Sequence, residues 1–310
     1  MAAGDDPMFN DVLSALVGVR AEIPDNARTS ETLGIRREGS GIVIDEDGLI
    51  VTIGYLIMEA SNVNVVLSDG ATVPARILAY DHGSGFGLIR ARQPLQVRPM
   101  PLGRSQDLGP SEPVLVASFG GMDQVRPARV VSRRAFAGYW EYLLENAIYT
   151  APPHPSFGGA ALIDSAAQLV GIGSLLVADT VAQSYLPGNM FVPIDLLKPI
   201  IDDLVSKGRT STPSRPWLGV YTEEIVAGLR VTRVAADSPA SRAGIEHDDI
   251  LLAVAGQKIT SLEDFYRRVW ALGDAGVSVR LTLLRDAKSK EITVRSTDRH
   301  NWLRILSPKH

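Results

Sequence analysis

The chain contains no cysteine, so it has no disulfide, no thiol nucleophile and no thiolate metal site; that absence leaves the redox compartment open. It also lacks an excess of either charge. Lys and Arg number 31 against 35 Asp and Glu, a net charge of -4, and the basic doublets Arg36-Arg37 and Arg133-Arg134 are too short to track a phosphate backbone. Nucleic acid is therefore excluded as an expected partner. Long hydrophobic runs are missing too. The longest, Leu49 to Met58 and Leu169 to Ala178, fall well short of the roughly 20 residues that span a bilayer, so no membrane span is expected and both read as core strands. Residues Met1 to Asp6 are small and acidic, without the basic and apolar stages of a secretory leader. A cytoplasmic protein is expected if Met1 is the native start, a periplasmic one if a leader has been removed.

What is present is a succession of short strand signals separated by Gly, Pro and Asp turns. With 45% apolar content, 310 residues suffice for two sizeable cores. Asp11 to Arg20 suits a helix or a strand, and Pro24 to Gly34 is a polar connection. Ile42 to Ile44 and Leu49 to Thr52 flank the turn Asp45 to Gly48; Val63 to Leu67 and Thr72 to Ala79 flank Ser68-Asp69-Gly70. Further strands are expected at 86–91, 113–119, 128–135, 147–151, 160–163, 168–175 and 189–192, which argues for a barrel or sandwich. Ile194 to Lys207 has helical spacing and stops at Gly208. The Ser, Thr and Pro of 210–216 mark a linker. Beyond it, strands at 218–221, 229–234, 250–254, 279–284 and 291–295 alternate with helices at 239–243 and 262–272. The expected division is an N-terminal arm and first element over 1–34, a β domain over 35–209, a linker over 210–216, a smaller α+β domain over 217–300 and a tail over 301–310.

The segments Gly39-Ser40-Gly41-Ile42-Val43-Ile44, Asp47-Gly48-Leu49-Ile50-Val51-Thr52, Leu67-Ser68-Asp69-Gly70, Ala75-Arg76-Ile77 and Asp81, in this order and spacing, resemble the HtrA (Deg) family. The resemblance covers nearly all of residues 12 to 298. It implies a mostly β chain: a trypsin-like double β-barrel followed by a PDZ domain. Such a protease needs a hydroxyl nucleophile, an imidazole to take its proton and a carboxylate to orient that imidazole. The family's Thr-Asn-Asn-His-Val-Val pattern is matched here by Thr52-Ile53-Gly54-Tyr55-Leu56-Ile57, which puts Tyr55 at the base. Its acidic member falls on Gly85, between Asp81 and the strand at Phe86. Its Gly-Asn-Ser-Gly-Gly pattern falls on Pro155-Ser156-Phe157-Gly158-Gly159, with Gly158 or Phe157 at the nucleophile depending on whether one counts back from Asp164 or matches the paired glycines. None of these residues can do the chemistry: tyrosine, with an ordinary pKa near ~10, is a poor base at neutral pH, and glycine supplies neither carboxylate nor hydroxyl. A degenerate triad, hence a pseudoprotease, is expected. The backbone N–H groups of Gly158 and Gly159 remain candidates for an oxyanion-like pocket. The strand Met190-Phe191-Val192-Pro193 is a candidate partner for an extended peptide, unless its bulky side chains fill the pocket.

Pro216-Trp217-Leu218-Gly219-Val220-Tyr221 resembles the carboxylate-binding loop of a PDZ domain, where consecutive N–H groups face a peptide terminus and the next strand accepts the peptide. Ser238-Pro239-Ala240, Ala243-Gly244-Ile245, Asp249-Ile250-Leu251 and Val254-Ala255-Gly256 match the rest of the pattern, with Asp248 where the family has glycine. Leu218, Gly219, Val220 and Tyr221, with Phe265 and Val269 on the helix, are the expected peptide-binding residues; for the last two a core role is an equal reading.

The expected function is a catalytically inactive HtrA-like protein that binds peptides or protein C-termini as scaffold, chaperone-like factor or regulator. A homo-oligomer follows from the resemblance, a trimer in this family, with Phe9 as a candidate contact. Two alternatives stand beside it: a serine endopeptidase with an unconventional site, Ser156 paired with His154 or His82, and a structural assembly protein whose groove is closed. No cofactor is expected. His82, His154 and Asp81 are too few and too scattered for a zinc site, so no metal is expected either. His247, His300 and His310 read as solvated loop and tail residues, Arg267-Arg268 as a solvated helix face, and Trp217 as a brace for the linker.

Overall fold

A computed structural model of the chain describes residues 12–304; Phe9 and His310 lie outside the described residues. The described residues divide into two compact units, residues 12–134 with 146–210, and residues 135–145 with 211–304.

The first unit holds two closed barrels of six strands each. The first barrel runs β1 (Leu16–Glu22), β2 (Arg36–Val43), β3 (Leu49–Ile53), β6 (Phe86–Ala91), β5 (Thr72–Tyr80) and β4 (Asn62–Val66). Within β1, Leu16 to Val19 and Ala21 are buried while Arg20 and Glu22 are exposed, and pairing with β2 and β4 on its two edges makes the segment a strand. Its register, Leu16 opposite Ile42 and Gly18 opposite Val66, closes the barrel. Residues 16–22, within the first element expected over 1–34, are a strand of this barrel. The turn before β3 is tied by the Asp45 carboxylate, which accepts from the Leu49 N–H at 2.7 Å.

The second barrel runs β10 (Ala161–Ile163), β11 (Leu169–Val177), β12 (Gly188–Pro193), β9 (Tyr142–Ala151), β8 (Val125–Gly138) and β7 (Pro113–Ala117). Val116, Val130, Ile148, Leu162, Val170 and Phe191 form its core. Two expected strands, 128–135 and 147–151, prove to be the inner parts of β8 and β9. Their outer ends continue into a tip whose residues 135–145 belong with the second unit. The expectation that 35–209 is one body therefore fails at this hairpin. The helical stretch 194–207 is a short 3₁₀ turn, Ile194–Leu196, and then helix α2 (Ile201–Lys207), closed by Gly208 in the left-handed conformation; α1 (Ser30–Leu33) lies between β1 and β2.

The second unit is built on a sheet ordered β13 (Val220–Ile225), β14 (Gly228–Val234), β15 (Ile250–Val254), β17 (Ser278–Arg285) and β18 (Lys288–Arg295), with the short β16 (Gln257–Lys258) against β15. Helix α3 (Pro239–Ala243) is capped by the Ser238 hydroxyl with Pro239 at its first position. Helix α4 (Leu262–Ala271) starts at the Ser261 cap and buries Leu262, Phe265, Tyr266 and Val269 on one face. Asp249, 1% exposed, accepts two 2.6 Å bonds from the Arg285 guanidinium, a buried fork that fixes the start of β15 to the end of β17. A last helix, α5 (Arg299–Trp302), extends this unit past residue 300, with the Trp302 ring 4.8 Å from that of Trp217 and its indole N–H on the Ala236 carbonyl.

Candidate functional site

In the first unit the structure brings Tyr55, Gly85 and Gly158 together. Tyr55 lies on the 3₁₀ turn Gly54–Leu56 that follows β3. The Gly54 N–H donates to the Gly85 carbonyl at 2.7 Å, so residue 85 lies beside that turn. A Cβ built on Gly158 would stand 3.1 Å from the Tyr55 hydroxyl. Of the two nucleophile candidates, Gly158 thus faces residue 55, while the Phe157 carbonyl is turned to the Ala160 N–H. The Tyr55 hydroxyl donates to the Ser174 carbonyl at 2.9 Å, and burial pushes its pKa above the ordinary tyrosine value. It is a neutral donor seated on a β11 carbonyl.

The paired glycines are explained by packing. Gly159 has φ +74, and a Cβ there would fall 2.0 Å from the Ser40 carbonyl oxygen, so only glycine fits. Its N–H donates to the Gly173 carbonyl at 2.9 Å, and the Gly158 carbonyl accepts from Ser40 N–H at 2.9 Å. The expected oxyanion pocket from both N–H groups therefore loses its Gly159 member to the barrel's own backbone. The Met190 to Val192 strand cannot pair with a peptide. β12 is bonded on both edges, Met190 opposite Leu175 and Tyr149, and Met190 and Phe191 are fully buried.

The alternative nucleophile pairing is not assembled either. His154 is buried, its Nδ1 accepts from the backbone N–H of Ser156 at 3.1 Å, and its Nε2 lies 3.0 Å from the Gln124 carbonyl. That pairing fixes the proton on Nε2 and leaves the ring serving backbone groups on both sides; burial also lowers its pKa. The Ser156 side chain is exposed. His82 Nδ1 meets the Tyr80 hydroxyl at 3.0 Å, and the Asp81 carboxylate accepts from the Ser84 N–H at 2.8 Å. Among the described residues no three His, Asp or Glu side chains converge as metal ligands.

In the second unit, the loop before β13 presents its N–H groups as expected, and they are already engaged. The carboxylate of Glu141 accepts from Leu218 N–H at 2.8 Å, Gly219 N–H at 2.5 Å and Val220 N–H at 2.9 Å. Gly219, at φ +87 with Ser238 Cβ only 2.3 Å from where its own Cβ would be, supplies the left-handed turn that makes the three N–H groups converge. Glu141 is 4% exposed, and burial pushes its pKa up to about 7 against the three N–H bonds and the nearby Arg299 charge, which pull it down. The Tyr139 carbonyl accepts from Thr222 N–H at 3.3 Å. Leu143 is buried in one cluster with Leu218, Val220, Phe265 and Val269.

Phe265 and Val269 are buried in the core of this unit, each 1% exposed. Tyr221 is half-buried under the Arg233 guanidinium, 3.6 Å from its ring centroid. Tyr266 was missed by the sequence reading: its hydroxyl donates to the Gly138 carbonyl at 2.7 Å and accepts from Glu141 N–H at 3.1 Å. Arg267, exposed on the helix face as expected, also grips the Glu145 carboxylate through Nε at 3.2 Å and Nη2 at 2.7 Å. The one sequence signal for this tip is its aromatic run, Tyr139, Trp140 and Tyr142, at a strand turn where polar residues are usual.

Comparison with known proteins agrees with both units. Residues 39–172 match the trypsin-like peptidase domain and residues 216–295 the PDZ domain. The chain is 28% identical to a probable periplasmic serine endoprotease DegP-like of Pseudomonas fluorescens, covering 86% of this chain and 56% of that one. It is 28% identical to the chloroplastic Protease Do-like 1 of Arabidopsis thaliana, over 83% and 62% of the two chains. For the putative serine protease HhoA of Synechocystis the identity is 26%, over 96% and 77%. The chain spans little more than half the length of the DegP-like relative. The HtrA-type protease AlgW with a decapeptide superposes with a TM-score of 0.55 at 19% identity, covering 97% of this chain and 100% of that one. The serine endoprotease from Yersinia pestis gives 0.53 at 21%, over 93% and 97%. With a trypsin-like double barrel and a PDZ domain in this order, this chain belongs to the HtrA/DegP family.

Proposed function

We propose that this chain is a peptide- or protein-binding member of the family: a scaffold, chaperone-like factor or regulator whose barrel is kept without its hydrolytic chemistry and whose PDZ domain takes the C-terminus of a partner. The observation that carries this reading is the Tyr55 hydroxyl, held on the Ser174 carbonyl and facing Gly158 where a nucleophile would stand. Tyr55, its hydroxyl protonated, is a poor base for a nucleophile, Gly158 supplies no hydroxyl, and Gly85 offers no orienting carboxylate. The chain is expected to leave casein intact and to take no label from a serine-directed fluorophosphonate.

The second reading is a serine endopeptidase using Ser156, and the names of the relatives above, a probable serine endoprotease, a protease and a putative serine protease, favour it. It requires casein cleavage and labelling that disappear in Ser156→Ala, and either result overturns the first reading. A closed-groove assembly protein differs from both in binding no C-terminal peptide under any condition. A homotrimer is carried over from the resemblance and is checked by light scattering on the purified chain. The relatives named periplasmic or chloroplastic support a compartment outside the cytoplasm, and the cytoplasmic expectation finds no support among them. No helix among the described residues is long and apolar enough to cross a membrane.

A further inference from the structure

A PDZ groove recognises a ligand by three features: a carboxylate held by consecutive N–H groups of the loop, backbone pairing with the strand that follows, and an apolar side chain among groove residues. All three are met here by residues of the same chain. Glu141 supplies the carboxylate to Leu218, Gly219 and Val220. Tyr139 supplies a carbonyl to Thr222 N–H on β13. Leu143, from the same tip, supplies the buried aliphatic side chain beside Phe265 and Val269. Tyr266 and Arg267, both on α4, hold the tip from the helix side through Gly138, Glu141 and Glu145.

We propose that the hairpin tip 139–143 is an internal ligand of the PDZ groove, with Glu141 in the seat of a chain terminus, and that a partner with a free C-terminal carboxylate and an apolar final residue binds by displacing it. This rests on the peptide-binding reading above and adds its regulation. The seat is built to be left as well as filled. Glu141 sits at φ +58, a left-handed conformation that costs a non-glycine residue about 1 kcal/mol or more, and its carboxylate is desolvated. A chain terminus presents the same carboxylate to the same three N–H groups without that backbone strain. Opposing it, the tip is tethered, and a tethered ligand acts at an effective concentration in the millimolar range or above. An external peptide therefore sees a groove available only a fraction of the time, and its apparent affinity falls by that fraction. Displacement also releases the outer ends of β8 and β9, so occupancy of the groove is transmitted along two strands that continue into the second barrel.

The test uses the full chain and a pool of fluorescein-labelled decapeptides ending in Val, Leu, Ile or Phe, each with a free carboxylate and as the amide. Glu141→Ala is expected to bind the free-carboxylate pool at least 10-fold more tightly than the wild type, with no gain for the amides. Tyr266→Phe, which keeps the buried ring and removes only the hydroxyl that holds the tip, is expected to gain about 3-fold and serves if the first variant folds poorly. In parallel, amide hydrogen exchange at 218–220 is expected to quicken by 10-fold or more in Glu141→Ala. Equal peptide affinity in wild type and both variants overturns the internal ligand and leaves peptide binding standing. Equal exchange protection at 218–220 in wild type and Glu141→Ala overturns it independently of any peptide. If exchange quickens but no variant binds any peptide, the peptide-binding reading fails and displacement fails with it.

Discussion

At the scale of single residues, the chemistry of this chain turns on Tyr55, Gly158 and Glu141. Tyr55 and Gly158 are coupled by space: a Cβ on residue 158 would press on the Tyr55 hydroxyl at 3.1 Å. Gly158→Ser is accordingly expected to leave hydrolysis undetectable and to lower the melting temperature by a few degrees, since the Tyr55–Ser174 bond must shift; activity assay and calorimetry check this. Glu141 gives a pH dependence with a definite sign. Docked, it faces the N–H groups of 218–220, the Tyr266 hydroxyl and the Arg299 charge, and its pKa is about 7; in an undocked tip it is near ~4.3. Between those values the docked form binds more protons, so docking is strongest in acid and weakens as pH rises through about 7, by up to roughly 4 kcal/mol. Glu141→Gln, neutral throughout, is expected to remove that dependence. Urea unfolding of the two proteins at pH 5 and pH 8 checks it, with the wild type losing relative to the variant at pH 8. That residues 55, 85 and 158 meet was foreshadowed in the sequence because each is flagged by a short local pattern: the strand before Tyr55, the turn before Phe86 and the paired glycines before β10. The choice between Phe157 and Gly158 was not legible. It depends on which residue faces the turn carrying Tyr55, a contact across the two barrels.

At the scale of elements, period and punctuation foretold nearly every strand, and the failures have physical causes. The alternation Val17, Val19, Ala21 is too short to separate from a helical spacing until β2 and β4 take up both its edges. β12 looked accessible by analogy with a specificity strand, yet both of its edges are bonded within the barrel. β8 and β9 were seen only in their inner halves because the outer halves, within residues 135–145, group with the second unit and do not follow a simple inside-outside alternation. The carboxylate loop is the most sensitive element. Gly219→Ala must accommodate both φ +87 and a Cβ 2.3 Å from Ser238 Cβ, and is expected to destabilise the second unit by 2 kcal/mol or more, read by thermal unfolding. Asp249→Ala leaves the Arg285 guanidinium half-paired at the base of the sheet, and a loss of about 3 kcal/mol is expected by the same measurement.

At the scale of the whole molecule, the chain has separate cores in two units, one of them completed by residues borrowed from far upstream. Heat unfolding is therefore expected to depart from a single two-state transition, with the calorimetric enthalpy exceeding the van't Hoff value; Glu141→Ala is expected to lower the transition of the second unit and leave the barrels' transition in place. The sequence by itself determined the family, the two-domain order and the glycine loop at Leu218 to Val220, because each of these is written in residues close together along the chain. Only the tertiary structure decided what fills that loop. Glu141 lies 77 residues before Leu218, and no local pattern links a glutamate at a strand tip to a glycine loop in the next domain. The link comes from burial: a desolvated carboxylate is tolerated only where several donors already point at one place, and this fold provides that place in the PDZ groove.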